Sequence, residues 1–200
     1  MQLDPAHLIS TADDLAPLYR PPSVLVKNKV MPCIDADFAR IIAHSPLAVL
    51  ATRGADGLDC SPRGDPGQTV FVEDEQTLIL PDRPGNNRID SLRNILHHPQ
   101  VALLFLVPGV NEVFRVNGTA QLTRDPALLA RFAYKDQWPR ALVVITVQEA
   151  FLHCARALLR ADVWNPAGWV GDRVLPNFAA MLTQQTGVHV SDADLSIEDR

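Results

Sequence analysis

Between about residues 47 and 150, hydrophobic positions fall into short runs separated by Gly, Pro, Asn and Asp. Leu47 to Thr52 is an apolar run, and Gly54-Ala55-Asp56-Gly57 supplies a hairpin turn into Leu58 to Arg63, because glycine permits positive φ. Gly64-Asp65-Pro66-Gly67 is a second turn. Thr69 to Val72 and Thr77 to Leu80 flank the acidic turn Glu73-Asp74-Glu75. Val101 to Val107 is the clearest strand, and Pro108-Gly109-Val110-Asn111 returns it into Val113 to Gly118 and on through Thr119 to Thr123. The β-branched run Ala141 to Val147 predicts one more strand.

A helical period appears where the strand pattern breaks. Phe38, Ile41 and Ile42 share one side of a helix that starts at Asp35 or Asp37, runs to His44 and stops at Ser45-Pro46. Ile89, Leu92, Ile95 and Leu96 give a second helix, Arg88 to His97, one apolar face; Pro99 ends it. A third helix follows Asp125-Pro126 with Leu128, Leu129 and Phe132, and a fourth runs from about Leu175 to Gln185 and ends at Gly187. Residues 3–20 predict a short N-terminal helix, ended by Pro21-Pro22, and the last stretch carries Asp192, Asp194, Glu198 and Asp199. Short strands with tight turns and few helices between them favour a mainly β fold with flanking helices, an antiparallel barrel or sandwich, over a βαβ sheet.

At 200 residues the chain suits one domain, with a core that needs neither disulfide nor metal. The organisation expected is an N-terminal helix and linker over 1–30, a barrel domain over 31–170 and a C-terminal helix with an acidic tail over 171–200. Cys33, Cys60 and Cys154 lie far apart, which argues for a reducing compartment. No stretch approaches a membrane span and no signal peptide is evident, so a cytoplasmic protein is expected. The net charge of −5 argues against a nucleic-acid surface. The sequence has no GxxxxGK[ST], GxGxxG, HExxH or GxSxG, which counts against P-loop NTPases, Rossmann dehydrogenases, zincins and α/β-hydrolases.

Four segments carry candidate chemistry. From Leu80-Pro81 to Ser91 a strand end, a Pro/Gly turn and a helix start place Asn87 and Arg88 where free backbone N–H groups favour an anion. The ordinary alternative is capping, with Asn87 and Asp90 three residues apart as in a capping box. Ser61 and Arg63 alternate along a strand and so face one side, where a hydroxyl and a guanidinium could hold a phosphate; a salt bridge from Arg63 to Asp65 or Asp59 is the alternative. Arg115 and Asn117 share a face opposite Phe114 and Val116. His153-Cys154 invites a thiol-nucleophile reading, against which a buried structural cysteine is the simpler one.

Together these segments resemble the pyridoxamine 5′-phosphate oxidase-like family of FMN-binding split β-barrels, chiefly over Leu47 to Thr123. The tail from Phe151 to Leu158 and on through Trp164-Asn165-Pro166 is similar to a subgroup of that family without an assigned substrate. The resemblance implies a homodimer with FMN between the protomers. It also implies roles by position: Ser61, Arg63, Asn87 and Arg88 on the phosphate, Leu80 and Pro81 along the isoalloxazine, and Arg115 on a strand beside the flavin. His153, Arg156 and Trp164 are further candidates, contributed by the partner subunit. Where the oxidases have a glutamine near the ring this chain has Val113, and Ser61-Pro62-Arg63 replaces a longer motif with both arginine and lysine. FMN binding is therefore expected, with an FMN-dependent oxidoreductase of unknown small-molecule substrate as the leading activity. The alternatives are a non-enzymatic flavin-binding or sensing protein, a split barrel for haem or a deazaflavin, and a thiol enzyme using Cys154 with His153.

Overall fold

The computed structural model describes residues 1–55, 57–171 and 174–195. Seven strands make one antiparallel sheet: β1 (Leu47–Gly54), β2 (Gly57–Gly64), β3 (Phe71–Asp74), β4 (Thr77–Pro81), β5 (Gln100–Leu106), β6 (Val113–Thr123) and β7 (Leu142–His153). Their order is β2-β1-β5-β6-β7-β4-β3, and the sheet curls into a split barrel open between its two edges. The expected strands are all present. β7 runs on past Val147 because Gln148 and Glu149 point outward at a register shift opposite Asn117 and Gly118.

Helices fill the ends and flanks. They are α1 (Ala12–Leu15), α2 (Val24–Asn28), α3 (Ala36–Ala43), α4 (Asp90–His97), α5 (Pro126–Arg131), α6 (Arg156–Ala161), α7 (Phe178–Thr186) and α8 (Asp192–Leu195). The single N-terminal helix expected over 3–20 is instead a 3-10 turn at Pro5–His7, then α1 and a second 3-10 turn at Ala16–Leu18. Pro5 and Pro17 sit in the first turn of these pieces, where a missing N–H costs nothing, and neither can lie inside a continuous helix. α7 ends on Gly187 at φ +71°, the left-handed cap that the glycine predicts. Glu198 and Asp199 of the expected acidic tail lie outside the described residues.

Alternation along β1, β5 and β6 sends Ala48, Leu50, Leu103, Phe105, Phe114 and Val116 to the interior, where α3 adds Phe38 and Ile42 and α4 adds Ile95. β4 is buried on both faces: Leu78 and Leu80 join that core, while Ile79 meets Leu129 and Phe132 around α5. The opposite face of β1, β5 and β6 carries Val49, Ala51, Ala102, Leu104 and Arg115, all half-buried. Gly118 sits at the β6–β7 bulge so close to β7 that a Cβ would lie 2.2 Å from the Thr146 carbonyl oxygen. Backbone must move to admit one, so Gly118→Ala is expected to destabilise the fold by roughly 2 kcal/mol. A lowered urea midpoint with unchanged slope is the measurement that checks it.

Candidate functional site

A cavity of about 360 Å³ opens between the edge strand β2 and the end of β4. β2 supplies Ser61 and Arg63, β4 supplies Leu80 and Pro81, and the loop between β4 and α4 supplies Arg83, Asn86 and Arg88. Ser61 and Arg63 pair with Leu50 and Ala48 of β1, so all four side chains point to the same face, and at this edge that face opens into the cavity. Thr69, buried, closes the floor: its hydroxyl donates to the Pro46 carbonyl and accepts from the Asp65 amide at 3.1 Å.

Two crossed ion pairs tie β2 to the end of β4. Arg63 Nη1 lies 3.2 Å from Asp82 Oδ1, and Arg83 Nε lies 2.6 Å from Asp65 Oδ2. All four side chains are at most about one-fifth exposed, so the pairs are far less screened than surface bridges. Arg83 also donates to the Phe132 carbonyl at 2.6 Å, which fixes the guanidinium at the rim. Arg63 differs: its buried Nε has no acceptor among the described residues. An unsatisfied buried N–H of a charged group is costly unless something accepts from it. Arg88 is mostly exposed and pairs with Asp90, whose carboxylate holds the guanidinium still more firmly protonated. An exposed pair of this kind is cheaply exchanged for another anion.

The cavity brings together Ser61, Arg63, Leu80, Pro81 and Arg88. Asn87 lines a smaller adjoining recess of about 90 Å³ that Arg63 and Arg88 share. Two expectations need correction. Asn87 does not cap α4: the residue at the N-cap is Ile89, without a side-chain bond, while Asn87 sits at φ +59° and its side-chain oxygen accepts from Arg140. The left-handed backbone turns Asn87 away from the helix axis. The acid paired with Arg63 is Asp82, neither Asp65 nor Asp59, because the curled sheet brings the end of β4 opposite β2. Asp59 instead accepts from Ser91 of α4 at 2.6 Å. Sequence reasoning also missed Thr69, Arg83 and Arg140. Arg83 stands inside the Leu80–Ser91 segment, but nothing local to it signals a carboxylate 18 residues away.

The other candidates lie elsewhere on the chain. Arg115 projects from the half-buried face of β6, opposite the core, with its guanidinium 4.5 Å from the Phe151 ring centroid. His153 ends β7, its ring 5.1 Å from that of Phe151. Burial first, then Arg115 and Lys29, hold the His153 imidazole below its ordinary pKa. Trp164 donates to the Val110 carbonyl at 2.8 Å, pinning the segment after α6 to the β5–β6 turn. Arg156 is exposed at the start of α6. Cys154 is exposed, contrary to the buried structural reading, because β7 stops one residue earlier; no hydrogen bond joins it to His153 among the described residues.

The pyridoxamine 5′-phosphate oxidase family matches residues 34–154, more than half of the chain, and the protein belongs to that family. Solved structures with a similar fold include a variant of HupZ from Group A Streptococcus, 20% identical, with TM-score 0.50 over 60% of this chain and 99% of that one. A protein from Lactobacillus delbrueckii described as a putative pyridoxamine 5′-phosphate oxidase is 24% identical, with TM-score 0.47 over 60% and 95%. An FMN-binding protein from Syntrophomonas wolfei is 12% identical, with TM-score 0.46 over 57% and 81%. No curated protein matches the chain. Among the described residues no helix is long and apolar enough to cross a membrane.

Proposed function

We propose that the protein binds FMN as a homodimer and acts as an FMN-dependent oxidoreductase on a small-molecule substrate. The observation that carries this reading is the buried, acceptorless Nε of Arg63 in a cavity that also presents Ser61 and Arg88. A phosphate supplies the missing acceptor, and its charge-assisted bonds to guanidinium groups are about twice as strong as neutral ones. Ser61 adds a hydroxyl donor, and Arg88 exchanges Asp90 for the phosphate at little cost. Leu80 and Pro81, at the end of β4, would lie along the ring through their backbone groups.

The half-buried apolar face of β1, β5 and β6 is the surface a second protomer would cover. On this reading the partner presents Arg115, His153, Arg156 and Trp164 to the flavin, since none of them lines the phosphate cavity of its own chain. The bound flavin supplies hydride or electron transfer; the protein binds, orients and shields it. Val113, in place of the ring-side glutamine of the oxidases, speaks for a substrate other than pyridoxamine phosphate.

The test is the absorption spectrum of the purified protein after FMN is added and the excess removed by gel filtration. Flavin bands that stay with the protein are expected. A colourless protein after that treatment would overturn the reading.

A further inference from the structure

Phe151 is the centre of a second group of cations, on the face of the sheet turned away from the core. The Arg115 guanidinium lies 4.5 Å from its ring centroid and the Lys29 ammonium 5.5 Å, and the His153 ring packs 5.1 Å away. Three segments distant in sequence build the group: the residue after α2, the start of β6 and the end of β7. Lys29 is fixed there by a hydrogen bond from its ammonium to the Leu152 carbonyl. That leaves two of its N–H groups to spare.

Two features mark this group. Among the described residues no carboxylate lies within 4 Å of Lys29 or Arg115, as is also true of exposed arginines such as Arg53, Arg93 and Arg156, but here two unpaired cations share one aromatic ring. Glu149, on the same face of β7, already accepts from Asn117 at 2.8 Å. The second feature is the Arg115 Nε. It is buried and has no acceptor, the same deficit that Arg63 shows inside the cavity. Two fixed cations beside a titratable imidazole repel one another, and Phe151 offsets this only in part through cation–π contacts of about 0.5–2 kcal/mol each. An anion placed among them would meet the unpaired N–H groups and the repulsion together.

We infer that Lys29, Arg115 and His153 form a binding site for the anionic group, a carboxylate or phosphate, of a small organic molecule. This deepens the flavin reading: in a dimer these residues would hold the substrate by its own anionic group, next to the ring. Lys29 is then the residue the family resemblance does not point to. The site has its own signature, because a bound anion stabilises the imidazolium and moves the His153 titration upward from its lowered position.

The probe is inorganic phosphate, and then malonate, titrated into the protein at constant ionic strength while the His153 ring protons are followed by NMR. Their assignment comes from His153→Gln. Both anions are expected to raise the His153 midpoint saturably. Lys29→Gln and Arg115→Gln are each expected to weaken that response by about tenfold, the loss of one charge-assisted bond. Arg63→Gln, which lesions the phosphate cavity, is expected to leave it intact. A midpoint that neither anion moves would overturn the inference, and so would a response lost in Arg63→Gln. If Lys29→Gln or Arg115→Gln instead converts a dimer to a monomer and the anions have no effect, a carboxylate of a second copy occupies the group and the inference falls. Retention of FMN is read separately, so flavin bands without an anion response would sink this site alone. An anion response without flavin bands would sink the flavin reading and leave the site standing.

Discussion

Replacing Arg63 and Arg88 together by alanine is expected to weaken FMN binding by roughly 10²- to 10⁴-fold and to leave riboflavin binding nearly unchanged. Hydrogen bonds to charged groups contribute about 1.5–3 kcal/mol each, and every 1.4 kcal/mol is tenfold in affinity. Arg63 should account for most of the loss. Its guanidinium is about four-fifths buried and already held by Asp82, so little ordering of the side chain remains to be done on binding. Arg88 is largely exposed and must first leave Asp90, so its single replacement should cost the lower end of that range. Riboflavin lacks the phosphate, and the ratio of the two affinities isolates the phosphate contact from any general loosening of the barrel. Quenching of flavin fluorescence on titration measures both. An unchanged FMN-to-riboflavin ratio in the double variant would place the phosphate away from this cavity. Arg63→Ala also strips Asp82 of its partner, so thermal stability should fall in that variant and not in Arg88→Ala.

The parts of this architecture legible in the sequence are those set by local pattern. The alternation in Val113 to Gly118 correctly places Phe114 and Val116 inward and Arg115 outward. The Asp35 cap, Pro46, Pro99 and Gly187 fix element ends because each acts within a few residues of itself: Asp35 accepts from the Phe38 amide, and the prolines and the glycine act through their own backbone. Legibility fails where the deciding neighbour is distant. Asp82 joins Arg63 and Asp65 joins Arg83 only because the curled sheet brings the end of β4 opposite β2. β7 looks finished at Val147, since nothing local shows that Gln148 and Glu149 are outward-facing residues at a bulge. Asn87 with Asp90 imitates a capping box, and it takes the positive φ of Asn87, stabilised by Arg140, to undo that reading. The candidate site is thus half legible. Its residue types stand in the sequence, while the carboxylates that hold them are contributed by folding.

The second large effect is expected at Phe114, where the route from packing to the site is shortest. Its side chain is fully buried, 4.6 Å ring to ring from Phe38 of α3 and 5.5 Å from Phe105 of β5. Phe114→Ala should cost about 3–5 kcal/mol, the usual range for emptying an aromatic from a core. For a chain of this size that lowers the melting temperature by roughly 10 °C. Phe114→Leu should recover much of it, because most of the volume returns while the ring pairs, about 0.5–1.5 kcal/mol each, do not. The consequence reaches the cavity through α3. The end of that helix leads into Ser45, buried, whose hydroxyl donates to the Ile41 carbonyl and whose own carbonyl accepts from the Thr69 amide at 3.1 Å. Thr69 in turn accepts from the Asp65 amide beside Arg83. Loosening Phe38 should therefore relax the floor of the phosphate cavity as well as the core. Calorimetry at fixed protein concentration, with and without FMN, reads both effects. A Phe114→Ala variant as stable as the parent would show that α3 is held by something other than this aromatic cluster. If it is destabilised but gains as much from FMN as the parent does, the floor is independent of the helix.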